Sequence, residues 1–212
     1  MRITAIEPGK GERFRLYTED GYLCTLDGET ILANHIRAGC EVDAGALNEL
    51  DLQAQYRRGR EKAYDLLGYR DHSRKELYDK LLRYISPEAA GMVCDLMEEQ
   101  RFLNDEAYAA KYARYYLETK KWGARRAKYE LIRKGIDPLT AETALEACEV
   151  DTVEQICTVI EKKYTRFLND GDPRAKKKLT AALMRLGYDY RDIREAVERC
   201  GEEAPEDEED WE

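Results

Sequence analysis

The stretch that decides the fold covers residues 101–138 and reads RFLNDEAYAAKYARYYLETKKWGARRAKYELIRKGIDP. Within it, Tyr108, Tyr112 and Tyr115 recur at the spacing of one helix face. This spacing predicts an amphipathic helix with three aromatic rings on one side. Aromatic residues in such an arrangement usually form core, so we expect the rings to pack on neighbouring helices. Residues 121–123 (KWG) interrupt the pattern, and a second helix is expected to follow.

The second helix combines an apolar stripe with a basic side. Ala124, Ala127 and Leu131 stand at helical spacing and predict the face that packs inward. Arg126 and Arg133, seven residues apart, share the far side. The stretch is therefore expected to form two basic helices joined by a short turn.

Charge is distributed unevenly along the chain. Residues 111–134 contain nine Lys or Arg against two Glu, and residues 162–185 contain eight bases against two acids. The formal net charge of −9 is misleading, because residues 202–212 hold eight acids and no base. A surface of one sign attracts an anionic partner, either nucleic-acid phosphate or an acidic protein groove. The alternative is a solvated face with no partner.

These observations define a set of predicted binding residues. The partner-binding set consists of Lys111, Arg114, Lys120, Lys121, Trp122, Arg125, Arg126, Lys128, Arg133 and Lys134. A secondary basic patch consists of Arg174, Lys176, Lys177 and Lys178. Trp122 has two readings: it either caps the core or stands exposed as an anchor. The acidic end is either a disordered solubilising tail or a segment that folds back on the basic helices.

Three segments of the sequence resemble one another: residues 73–87, 123–138 and 173–189. Their superposition brings three leucines and three arginines into register, with a one-residue gap in the first copy. The leucines are Leu81, Leu131 and Leu183, and the arginines are Arg83, Arg133 and Arg185. The offsets of 50 and 52 residues imply a repeating unit of about fifty residues, with room for three short helices.

The chain before these repeats differs in kind. Three segments near its start (residues 2–6, 13–17 and 22–26) approximate the alternation of β-strands and are separated by turn signals. The predicted fold is therefore mainly α, with three tandem three-helix repeats in an elongated curved array behind a small N-terminal β-meander. The predicted limits are 1–40 for the β-hairpin or meander extension, 41–57 for a helical connector, 58–104, 105–150 and 151–200 for the repeats, and 201–212 for the acidic disordered tail.

Several function classes lack their sequence signals. Neither a membrane span nor a signal peptide is evident, so we expect a cytoplasmic protein without membrane contact. Six scattered cysteines without a C-x-x-C pair predict free buried thiols, and two distant histidines argue against zinc. Residues 8–12 (PGKGE) lack the phosphate-loop spacing and predict a hairpin turn. We expect no catalytic residue, no metal and no cofactor.

The same stretch resembles the RecX family of recombinase regulators. The resemblance rests on residues 102–105 (FLND) followed by 107–109 (AYA) and Tyr112, and on 121–123 (KWG) leading into 129–136 (YELIRKGI). It extends over roughly residues 60–200, and the threefold repeat of three helices fits the same family. Ala124 departs from the pattern, because family members usually have proline there.

The resemblance implies a bacterial protein that binds the RecA filament on single-stranded DNA, blocks its extension and depresses ATPase and strand exchange. The family's pattern for the middle repeat is matched here at Asp105, Tyr112, Arg126, Lys134 and Gly135. The acidic tail is not part of that pattern. We expect a monomer that needs no enzymatic activity of its own.

Two rival hypotheses remain open from the sequence. The chain could be an autonomous protein that binds single- or double-stranded DNA through helix-turn-helix-like units. It could also be a helical-repeat adaptor for an unrelated acidic partner.

Overall fold

The computed structural model describes residues 1–169 and 173–202. It divides into two compact units, Met1–Asn104 and Asp105–Glu212. All of the predicted acidic tail beyond residue 202 lies outside the described residues. Within the described ranges the chain forms a three-stranded sheet and eleven α-helices, so the predicted combination of a small meander with three helical repeats is confirmed.

The N-terminal sheet is an antiparallel meander of β1 (Ala5–Pro8), β2 (Arg13–Thr18) and β3 (Gly21–Asp27), in that order. Its first strand begins three residues later than residues 2–6 suggested, because Ile3 bonds elsewhere. The Ile3 N–H donates to the carbonyl of Cys40 at 3.0 Å. Helix α1 (Gly28–Ala33) follows β3 directly.

The first helical repeat consists of α2 (Ala44–Tyr69), α3 (Arg74–Leu81) and α4 (Pro87–Glu99). The side chains of Ser73 and Ser86 cap α3 and α4 by accepting from the N–H groups of Glu76 and Ala89. Helix α2 runs without a break through the predicted limit at residue 57. The connector and the lead helix of the first repeat are therefore one helix, because nothing in its sequence interrupts the backbone hydrogen bonds.

The second repeat contains α5 (Asp105–Arg114), a short π-helix (Tyr115–Thr119), α6 (Ala124–Arg133) and α7 (Pro138–Glu146). The third contains α8 (Thr152–Lys163), a short α9 (Thr165–Asn169), α10 (Pro173–Arg185) and α11 (Tyr190–Glu202). Each repeat has its own apolar core. Helices α3, α6 and α10 occupy equivalent places and are called the middle helices below.

The predicted register of the repeats is visible in the core. Leu81, Leu131 and Leu183 are all fully buried. Gly135 and Gly187 follow α6 and α10 in the left-handed backbone region, with φ of 90° and 94°. No residue just after α3 has a positive φ. The one-residue gap in the first copy therefore marks a helix end built without the glycine.

Candidate partner-binding surface

The tyrosines of α5 and the π-helix differ in burial. Ala109 and Ala113 are fully buried, and Tyr108 and Tyr116 are nearly so. Tyr115 is 39% exposed, so its predicted place in the core is wrong. The reason is that α5 packs on α7 through its small alanines, which let the two backbones approach closely, and Tyr115 lies beyond the edge of that contact.

Trp122 closes this core instead of standing free. Its indole ring stacks on Tyr116, with centroids 4.9 Å apart and planes 18° apart. The Arg126 guanidinium lies 4.1 Å from the centroid of the indole. The contact between a cation and an aromatic face is favourable, so Trp122 is held by both Tyr116 and Arg126. Of its two readings, the capping role of Trp122 is the one the packing favours.

The start of α6 is joined to the end of α10. The N–H of Gly123 donates to the Leu186 carbonyl at 2.8 Å, and that of Arg125 to the Gly187 carbonyl at 3.3 Å. The first N–H groups of a helix have no hydrogen-bond partner within the helix. Here the third repeat supplies carbonyl acceptors for two of these groups. The two helix dipoles thus meet head to tail, which is favourable.

This junction needs glycine on both sides. A Cβ atom at Gly123 would lie 2.3 Å from the carbonyl carbon of Gly187, which is backbone and cannot move aside alone. A Cβ at Gly187 would lie 2.5 Å from the backbone nitrogen of Arg126. The small residues therefore set how closely the second and third repeats approach.

A buried hydroxyl group completes the junction. Tyr188 donates to the Lys121 carbonyl at 2.8 Å and accepts from the Gln155 side-chain amide at 2.8 Å. The same amide nitrogen lies 3.3 Å from the Trp122 carbonyl. Burial raises the pKa of Tyr188 to about 12, so the hydroxyl stays protonated at neutral pH and remains a donor. Sequence reasoning missed both residues; the signal was a tyrosine where the other copies have Ile85 and Ile136.

Several of the predicted binding residues form ion pairs. The pairs are Arg114–Glu118 at 3.8 Å, Arg125–Asp189 at 3.9 Å, Lys128–Glu142 at 2.9 Å and Arg133–Glu130 at 2.5 Å. Glu142 and Asp189 lie outside residues 111–134, so the folded protein offsets part of the positive charge counted along the sequence. These pairs are at the surface and contribute little to stability.

The remaining charge concentrates at the turn between the π-helix and α6. Lys120 is exposed, with its Nζ 5.4 Å from the centroid of the Tyr115 ring. Lys121 is half-buried and has a φ of 54°. Neither lysine, nor Arg126, has an ion pair within 4.0 Å among the described residues. We call Lys120, Lys121, Trp122 and Arg126 the basic corner.

The other predicted positions are more dispersed. Lys111 is exposed on α5, and Lys134 is the half-buried residue that ends α6. Ala124, predicted to face inward, is exposed because it lies in the first turn of α6 beside the junction. The secondary patch of Arg174, Lys176, Lys177 and Lys178 is exposed along the first turns of α10. Positive charge near a helix N-terminus opposes the dipole, so an anionic partner would stabilise this end.

Comparison with known proteins identifies the family. The RecX first, second and third three-helix domains match residues 60–95, 104–145 and 149–197, which together cover more than half of the chain. The chain belongs to the RecX family. Each matched segment contains one of the middle helices. Among the described residues, no helix is long and apolar enough to cross a membrane.

Relatives and solved structures agree with this assignment. The chain is 25% identical over 200 residues to the regulatory protein RecX of Clostridioides difficile, covering 93% of this chain and 94% of that one. It is 27% identical to that of Bacillus subtilis, covering 92% and 75%. A crystal structure of RecX from Lactobacillus salivarius superposes with a TM-score of 0.62 at 28% identity, covering 69% and 96%. A second crystal structure of regulatory protein RecX has a TM-score of 0.65 at 21% identity over 93% and 98%, and it shows the fold alone.

Proposed function

We propose that this chain is a non-enzymatic regulator that binds the RecA filament on single-stranded DNA and inhibits its extension, ATPase and strand exchange. The observation that carries the proposal is the basic corner, an unpaired cluster of cations held at a rigid junction within a RecX-family chain. Binding that favours one filament state shifts assembly without any chemical step.

The rigidity of the corner supports a binding role. Its backbone is held by the Tyr188 hydroxyl at Lys121, and its Trp122 ring is stacked on Tyr116. A surface that is already ordered loses little conformational freedom when a partner binds, so more of the interaction energy appears as affinity. The exposed cations of α10 extend positive charge beyond the corner.

The alternative, an autonomous DNA reader, gains less support from α6. Helix-turn-helix proteins contact base edges with residues at the start of the recognition helix. In this chain the start of α6 is occupied by Leu186 and Gly187 of the third repeat. We therefore place the RecA filament first, with DNA contacted as part of that filament, and propose that the protein acts as a cytoplasmic monomer.

The test measures single-strand-dependent ATPase activity of the cognate RecA while this protein is added in increasing amounts. We expect inhibition below one equivalent per RecA protomer. Lys120→Gln with Lys121→Gln should raise the concentration for half-inhibition about fivefold, since each lost charge contact is worth roughly 0.5 kcal/mol. Full ATPase activity at equimolar protein would contradict the proposal.

A matched control comes from a second pair of adjacent lysines. Lys162 and Lys163 are exposed at the end of α8, and their change to glutamine should leave inhibition within twofold of the unmodified protein. Arg126 is unsuitable as a probe, because its backbone and Cβ contact Gly187 and its guanidinium stacks on Trp122. Equal loss in both lysine pairs would indicate general charge attraction instead of a defined corner.

A further inference from the structure

The three copies of the repeat share an exposed aliphatic residue, which lies in α6 and α10 and directly after α3. With Leu81, Leu131 and Leu183 superposed, the next position holds Leu82, Ile132 or Met184. These aliphatic side chains are exposed by 40%, 40% and 44%. The same chemistry at nearly the same exposure therefore occurs once in every repeat.

Charged neighbours accompany this residue in each copy. An exposed arginine follows it directly: Arg83, Arg133 or Arg185. An exposed base lies seven residues before it: Lys75, Arg125 or Lys177. In α6 and α10 the three residues lie on one side of the helix, because residues at i, i+7 and i+8 share a side, and seven residues span about 10 Å. In the first copy Leu82 and Arg83 directly follow the last residue of α3. Each copy thus carries a triplet of base, aliphatic residue and arginine.

Other outward positions on these helices do not repeat their chemistry. The position three before the aliphatic residue holds Asp79, Tyr129 or Ala181, and all three are exposed. The position six before it holds Glu76, Arg126 or Lys178. The triplet is therefore not a by-product of generally similar helices, because the positions between its members vary in charge and size.

We propose that the triplets are the points at which this chain docks on protein, and that each contacts an equivalent acidic, partly apolar site on successive copies of one polymerised partner. The inference rests on the proposed function and deepens it, since the partner is then the protein component of the recombinase filament. Three copies of one contact element match a partner that repeats its own surface.

The aliphatic member decides between protein and nucleic acid. Burying an exposed aliphatic side chain against apolar surface makes binding more favourable. A phosphate group offers no such surface. The flanking charges are less diagnostic, because Lys75 pairs with Asp79 and Arg133 with Glu130 at 2.5 Å each. A protein surface with carboxylates around an apolar depression satisfies all three members of the triplet.

The experiment removes the three aliphatic side chains together, as Leu82→Ala, Ile132→Ala and Met184→Ala. The control removes three exposed aliphatic residues outside the triplets, as Leu32→Ala, Met92→Ala and Leu139→Ala, whose exposures are 77%, 43% and 72%. Both variants are titrated into RecA on single-stranded DNA with ATPase as readout. Fluorescence anisotropy of bare single-stranded DNA is measured in parallel.

We expect the triplet variant to raise the half-inhibitory concentration more than about tenfold, with single changes of about threefold that multiply. The control should stay within about twofold, and bare-DNA affinity should be unchanged. Inhibition by the triplet variant equal to that of the unmodified chain overturns the inference and leaves the proposed function intact. A parallel loss of bare-DNA affinity overturns it in favour of nucleic acid. Absence of inhibition by the unmodified chain overturns both the inference and the proposed function. If the triple variant unfolds at a lower temperature than the unmodified chain, the three single variants are compared instead.

Discussion

The starts of α3 and α6 occupy the same place in two copies of one repeat, yet they are capped by different means. Ser73 stands before α3, and its hydroxyl accepts from the Glu76 N–H at 3.1 Å. Gly123 stands fifty residues later before α6 and has no side chain to offer. Its own N–H bonds to the Leu186 carbonyl of the third repeat.

The difference shows how one position can turn a helix end into a joint. A serine cap satisfies the helix with an atom of the same segment. A glycine leaves the end open and allows another backbone to approach closely. The second and third repeats are therefore coupled at α6, and the basic corner lies at that coupling.

The largest effect is expected when the cap of the first repeat is placed in the second, as Gly123→Ser. The new Cβ would lie 2.3 Å from the Gly187 carbonyl group, and backbone on both sides prevents local relaxation. We expect a loss of about 3 kcal/mol in the free energy of unfolding, measured by urea denaturation. Hydrogen exchange at the Gly123 and Arg125 amides should also become faster.

The control for this change is Gly91→Ser in α4. A Cβ at Gly91 meets nothing within 4 Å, so stability should change by less than about 0.5 kcal/mol. Equal effects of the two substitutions would contradict the joint.

A second pair of glycines separates close approach from backbone conformation. Gly39→Ala and Gly187→Ala both introduce a side chain at a φ near 90°. A Cβ at Gly39 meets nothing within 4 Å, whereas a Cβ at Gly187 would lie 2.5 Å from the backbone nitrogen of Arg126. We expect Gly187→Ala to cost about 2 kcal/mol more than Gly39→Ala in thermal or urea unfolding, because overlap adds to strain. Equal costs would mean that the joint is looser than its distances indicate.

Removal of one hydroxyl group, as Tyr188→Phe, should have a smaller effect. The change leaves the Lys121 carbonyl and the Gln155 amide without their shared partner in a buried place. We expect a loss of about 1.5 kcal/mol in the free energy of unfolding. The control compares the unfolding of Tyr188→Phe and of the unmodified chain across alkaline pH.

The pH dependence follows from the raised pKa. Tyr188 has a pKa of about 12 in the folded protein, against 10.0 for an ordinary tyrosine. The contribution of Tyr188 to the free energy of unfolding is fully present below pH 10 and is lost as pH rises towards 12. The reason is that the hydroxyl releases its proton at lower pH in the unfolded chain than in the folded protein. Tyr188→Phe should therefore lose less stability over that interval than the unmodified chain. An identical alkaline profile would count against a buried, protonated Tyr188.

The smallest effect is expected at the self-capped helix, as Ser73→Ala. Loss of the cap should cost about 1 kcal/mol, as is typical for serine caps. Because this cap is local, hydrogen exchange at Gly123 and Arg125 should not change. Faster exchange at these two amides would contradict the local nature of the α3 cap.

Much of this architecture could be predicted from local patterns. Leu81, Leu131 and Leu183 revealed the repeat because a buried position at helical spacing tolerates few residue types. The caps at Ser73, Ser86 and Asp137 are equally local, because such hydrogen bonds join residues two or three apart.

The binding surface was predicted less well, for reasons of distance along the chain. Arg125 pairs with Asp189 and Lys128 with Glu142, and no local count of charge includes these partners. Which side of α5 is buried depended on how closely α7 approaches Ala109 and Ala113. Helical periodicity alone could not distinguish that side from the adjacent tyrosine flank.

The sequence by itself determined the helices, their caps and their threefold repetition, because these depend on residues within one or two turns of each other. Only the tertiary structure decided that Gly123 and Gly187 meet, and that Tyr188 holds the Lys121 carbonyl. Contacts between residues more than sixty positions apart decide these features, and their geometry exists only once the second and third repeats have packed together.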